Sequence, residues 1–128
     1  MNRGPEIRAA VERYAEAWRS GDLAAFAACY ADGFTLHYGG RHALSGDHVG
    51  KAQALRTLAA FSARTGRRLV EIIDVLAGAE RGAIVVREAF GRTEALRVLV
   101  YRVEDGLLAE CWVLDADQAL IDGLVGEV

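Results

Sequence analysis

The sequence predicts an α+β fold: N-terminal helices packed in a curved antiparallel sheet, with a pocket between them. Three observations carry this expectation. Apolar residues recur at helical spacing from Ile7 to the stop at Thr65-Gly66. From Leu69 onward they alternate instead, in runs separated by glycine-containing turns. The elements therefore come as helix, helix, strand, helix and then four strands in a meander. With 128 residues, 52% of them hydrophobic, the chain reads as one globular domain over residues 1–128, large enough to bury a core.

Ile7, Val11, Tyr14 and Trp18 mark one face of the first helix, with Pro5 suited to its first position and Ser20-Gly21 ending it. Asp22 caps a second, short helix carrying Leu23, Phe26 and Tyr30. Ala31-Asp32-Gly33 reads as a turn and Phe34–Tyr38 as a short strand. Gly39–Asp47 reads as a loop, with Asp47 placed to cap a helix over Val49–Arg64. That helix bears a stripe of Leu55, Leu58, Ala59 and Ser62, with Phe61 beside it. Strands follow at Leu69–Leu76, Ala83–Phe90, Ala95–Val103 and Leu107–Asp115, and Asp105-Gly106 is the clearest hairpin signal. Asp117–Leu124 is a short helix, or a tail packed on a neighbour.

The composition excludes several classes. A net charge of −3 without a basic run argues against nucleic acid. No apolar stretch approaches the ~20 residues that span a membrane. Met1–Pro5 lacks the apolar segment of a signal peptide. Cys29 and Cys111 lie in apolar contexts and read as reduced core thiols of a cytoplasmic protein. His37, His42 and His48 lack the spacing of a metal site, so none is expected.

Tyr14 and Trp18 lie one turn apart with polar tips, which a pocket or one hydrogen bond each would satisfy. Strand alternation turns Glu88 inward with Ile84 and Val86, Arg97 with Leu99 and Tyr101, and Asp115 with Cys111 and Val113. Glu88 and Arg97 on neighbouring strands make an oriented, ionised carboxylate, or else a solvated salt bridge at the rim of the sheet. Asp115 is a pocket acid or a helix cap. Alternation from Phe34 puts Tyr38 inside and His37 outside; a bulge before Gly39-Gly40 would reverse them and make His37 a competent base. Val98, Val100, Trp112 and Leu114 leave the outer face apolar as well. A sheet apolar on both sides needs cover on both, and a homodimer packed sheet to sheet would supply it.

Three stretches carry a family resemblance: YAEAWRSGDLAAFAACYAD from Tyr14, FTLHYGGRHALSGDHVG from Phe34 and YRVEDGLLAECWVLD from Tyr101. With the order of elements, they resemble the NTF2-like superfamily in its SnoaL-like and ketosteroid-isomerase-like branch. The resemblance implies the NTF2-like cone and cofactor-free general acid–base catalysis on a hydrophobic small molecule: isomerisation, polyketide-type cyclisation or epoxide opening. The same fold also serves as a non-catalytic binding module. Tyr14 matches the oxyanion-holding tyrosine of the isomerases, whose base would fall at His37-Tyr38 and whose protonated acid would fall near Leu99. The cyclases direct attention to His37 and to Asp115 on the last strand. The epoxide hydrolases direct it to two carboxylates bridged by an arginine, here Glu88, Arg97 and Asp115. The catalytic candidates are thus Tyr14, His37, Glu88 and Asp115. Trp18, Tyr38, Arg97, Leu99, Tyr101, Cys111 and Val113 are expected to bind the substrate.

Overall fold

The computed structural model describes residues 3–127. Its elements are α1 (Gly4–Ser20), α2 (Leu23–Ala28), β1 (Tyr30–Tyr38), β2 (Gly46–Val49), α3 (Lys51–Thr65), β3 (Arg68–Ala77), β4 (Arg81–Phe90), β5 (Thr93–Glu104), β6 (Leu107–Asp115) and α4 (Gln118–Val125). One six-stranded sheet runs in the order β2-β1-β6-β5-β4-β3. The last four strands form the expected meander. β1, however, joins β6 in parallel, so the sheet is mixed rather than wholly antiparallel.

Helix α1 stops where Gly21 takes a left-handed φ of 71° and its N–H reaches the Trp18 carbonyl. Its buried face, Ile7, Ala10, Val11, Tyr14, Ala15 and Ala17, lies against β3 and β4. Gly82 permits that crossing: a Cβ there would stand 2.6 Å from Val11 Cγ2 and 3.0 Å from Ile7 Cγ2. Asp22 caps α2 by accepting from the Ala25 N–H. The expected apolar face of α2 is only partly realised, because Leu23 is exposed and Tyr30 belongs to β1. Helix α3 covers β1 and β2 and meets α4. Two register shifts between β3 and β4, at Leu69/Glu71 and Ile72/Asp74, break the alternation of β3; such bulges bend a strand.

Two expectations are corrected here. The chain is already extended at Ala31-Asp32-Gly33, because Tyr30 pairs with Leu108; the supposed turn is an irregularity within β1. The loop hides an edge strand, β2, in which Asp47 pairs with His37. Asp47 therefore caps nothing, and α3 starts after Gly50 without a side-chain cap. No helix is long and apolar enough to cross a membrane among the described residues.

Candidate active site

Between α1–α2 and α3, where β3 begins and β4 ends, lies a chamber of about 410 Å³. Its walls are Ala17, Trp18, Leu23, Phe26, Leu55, Leu58, Ser62, Arg67, Leu69 and Glu88 with their neighbours. The α3 stripe read from the sequence is thus a chamber wall. Deeper in is a second space of about 20 Å³, lined by Tyr14, Tyr30, Phe34, Leu36, Tyr38, Arg97, Leu99, Tyr101, Cys111 and Val113. Trp18, Phe26, Leu58 and Arg67 border both. The inner space admits about one water, so a ligand's body belongs in the outer chamber.

Arg97 organises the polar floor. Its Nε donates to Asp115 Oδ1 at 2.5 Å and its Nη2 to Asp115 Oδ2 at 3.3 Å; Nη1 donates to Glu88 Oε1 at 3.0 Å and Nη2 to the Tyr38 hydroxyl at 3.0 Å. The guanidinium lies 4.5 Å from the centre of the Phe61 ring. Burial works against its charge, but Tyr38, Asp115 and Glu88 outweigh that and hold it firmly protonated. The alternative of a solvated rim salt bridge is corrected: Arg97 and Glu88 are each 1% exposed.

The two carboxylates are not equivalent. Both oxygens of Asp115 accept from Arg97. Asp115 lines neither space, and Asp117 rather than Asp115 caps α4. Glu88 gives Arg97 only Oε1; Oε2 is buried without a hydrogen-bond partner, and Glu88 is one of the residues of the chamber wall. Arg67 Nε stands 3.8 Å from it, too far for a hydrogen bond.

Sequence reasoning passed over Arg67. It precedes β3, its Nε donates to Ser62 Oγ at 2.9 Å, and its guanidinium lies over Phe61. Alternation run backward from inward-facing Leu69, the partner of Glu88, would have reached it.

Tyr14 sits among aromatic rings, 5.1 Å from Phe26, 5.3 Å from Tyr101, 5.6 Å from Tyr30 and 5.9 Å from Trp18 between centres. Burial pushes its phenol up to about 12, against hydrogen bonds from Tyr101 and Tyr30. Tyr30 donates to it at 3.0 Å. Accepting from Tyr30, Tyr14 does not spend its own proton on that bond. Burial likewise pushes Tyr38 up to about 12, despite Arg97, and the Cys111 thiol up to about 12. A thiol so placed is unreactive.

The expectation that His37 works as the pocket base is corrected in its placement. No bulge reverses the end of β1, so Tyr38 faces inward and His37 outward. His37 stacks on Trp112 with centres 5.2 Å apart, meets Asp47 through Nδ1 at 2.7 Å, and bonds Glu110 through Nε2. Partial burial pulls its pKa down, but those carboxylates win and raise it. His42, weighed from the sequence only as a metal ligand, lies inside the fold. It is buried, its Nδ1 accepts from the Leu44 N–H, its Nε2 has no partner, and burial lowers its pKa.

This architecture has relatives. The SnoaL-like domain family matches residues 11–111, and the chain belongs to that family. Bal32a, from a soil-derived mobile gene cassette, is 20% identical and superposes with a TM-score of 0.83 over 98% of this chain and 100% of its own. A protein of unknown function with a cystatin-like fold from Xanthomonas campestris is 23% identical, with a TM-score of 0.84 over 92% and 96%. A candidate ketosteroid isomerase from Kribbella flavida DSM 17836 is 21% identical, with a TM-score of 0.72 over 90% and 81%. These likenesses define an NTF2-like fold. No curated protein matches the chain.

Proposed function

We propose that the protein is a cofactor-free acid–base enzyme acting on a small, largely apolar molecule held in the 410 Å³ chamber. The observation that carries this reading is Glu88 Oε2, a buried carboxylate oxygen without a hydrogen-bond partner, on a residue of the chamber wall and fixed through its twin by Arg97. A base so held needs no reorganisation before it takes a proton from carbon or water. Tyr14, protonated to high pH and accepting from Tyr30, serves as donor to a developing oxyanion that reaches into the inner space. Asp115 and Tyr38 hold Arg97, and Trp18, Leu99, Tyr101 and Val113 shape the walls. Isomerisation, cyclisation and epoxide opening all fit this set. His37 takes no part.

The test is a panel of small apolar ketones and epoxides, followed by NMR for exchange of α-protons with deuterium and for ring opening. Glu88→Gln should lower turnover of a reactive compound by roughly 10²–10⁴-fold with binding retained. A second reading, a binding module, draws on the same walls without the base. It prevails if compounds bind and the wild type turns none over.

We also propose a homodimer. Leu96 and Leu114 are exposed on the outer sheet face, beside Val85, Val98, Val100 and Trp112. Charges of both signs border them, including Arg81, Arg87, Glu110 and His37, so two copies related by a two-fold axis can match opposite charges. The free, buried Cys29 and Cys111 support a cytoplasmic setting.

A further inference from the structure

The chamber's polar end is more specific than its walls, and this inference rests on the chamber being a ligand site. Glu88 Oε2 is buried, unpartnered and can only accept. Beside it, Arg67 spends Nε on Ser62, and neither terminal nitrogen makes a hydrogen bond among the described residues. Arg67 can only donate. One acceptor and one donor group therefore stand side by side, 3.8 Å apart at their nearest atoms. The charges at this end balance: Arg67 and Arg97 against Glu88 and Asp115. A ligand carboxylate drawn to Arg67 would meet the Glu88 carboxylate, and a ligand ammonium drawn to Glu88 would meet Arg67.

We propose that the chamber takes an uncharged molecule with an apolar body and a head carrying a hydrogen-bond donor next to an acceptor, as in a primary amide or an α-hydroxyketone. The donor goes to Glu88 Oε2 and the acceptor to Arg67, which makes Arg67 a specificity-determining residue. Trp18, Phe26, Leu55 and Leu58 take the body. A space of about 410 Å³ lies low in the ~300–1,000 Å³ range of ligand pockets, which suits one small ring better than a fused polycycle.

Cyclohexanecarboxamide, cyclohexanecarboxylate, cyclohexyl methyl ketone and methylcyclohexane share a body and differ in the head. Each is titrated into the protein while the indole N–H signals of Trp18, in the chamber, and Trp112, on the outer face, are followed by NMR. The expected result is movement of Trp18 and not Trp112, with the carboxamide bound roughly 10-fold or more tightly than the other three. Arg67→Leu, at a partly exposed position, should erase the advantage of the carboxamide over methylcyclohexane, and Arg67→Lys should restore part of it. Equal affinity for ketone and carboxamide, or preference for the carboxylate, overturns the proposed head while leaving the chamber as a ligand site. No response at Trp18 to any compound overturns the chamber reading and the proposal with it.

Discussion

Each face of the sheet carries a cation held between two carboxylates, and one such set from each face makes the comparison. Inside, Arg97 lies between Glu88 and Asp115; their side chains are 1–2% exposed. Outside, His37 lies between Asp47 and Glu110; these side chains are 26%, 70% and 22% exposed. The constellations are alike on paper, and the surrounding medium decides what each is worth. Removing a partner from a buried set leaves a charge with neither water nor counter-ion, whereas a surface set exchanges its partner for solvent. The inner set can therefore fix a reactive oxygen, and the outer one can do little more than tune the sheet surface.

The sharpest way to break this comparison is Arg97→Met. It strands Glu88 and Asp115 together and should destabilise by about 3–5 kcal/mol, read as a lowered denaturant midpoint. A loss no larger than that of a surface substitution would mean that the inner set is wet. Gly82→Ala comes next. Its methyl group would meet Val11 and Ile7 of α1, and overpacking of this kind costs about 1–3 kcal/mol in the same measurement.

Alkaline pH separates the two faces in a graded way. Tyr14 and Tyr38 titrate at about 12 in the fold against an ordinary 10.0. Because the folded state holds these protons more tightly, their contribution is complete below pH 10 and is lost as pH rises through 12. Burial raises Tyr30 and Tyr101 as well, so all four phenols are affected, and absorbance titration should show them ionising late in the folded protein and in the ordinary range only on denaturation.

The smallest effect is at His37. Its raised pKa means that the ion pairs stabilise only below the ordinary 6.5 in full, fading as pH rises through the folded value. His37→Gln should change stability by less than about 1 kcal/mol and leave turnover intact. NMR titration should find His37 above 6.5 and His42 below it. His42 has the opposite sign: its contribution is present above 6.5 and lost as pH falls through its folded value.

Wherever a local signal was strong, the fold was legible. Asp105-Gly106 marked a hairpin, and period-2 alternation set the faces of β4, β5 and β6, so Glu88, Arg97 and Asp115 were grouped before any geometry was known. Strand β2 was not legible, because a four-residue edge strand with one apolar residue, Val49, leaves no pattern. Tyr30 looked helical because Phe26 stands four residues before it; its pairing with Leu108 is a contact distant in sequence. For the site, alternation could say that two carboxylates face inward but not that Arg97 occupies both oxygens of one and a single oxygen of the other. That inequality depends on side-chain reach, as does the approach of Arg67 from the far side of Gly66.

One measurement bears directly on the claim that the inner face works and the outer does not. With glutamate carboxyls labelled with ¹³C, and Glu88 and Glu110 assigned from their glutamine variants, cyclohexanecarboxamide is added and both signals are followed. The account predicts that the Glu88 signal shifts with saturation while Glu110, beside His37, stays in place. A shift at Glu110 with Glu88 unmoved would contradict it.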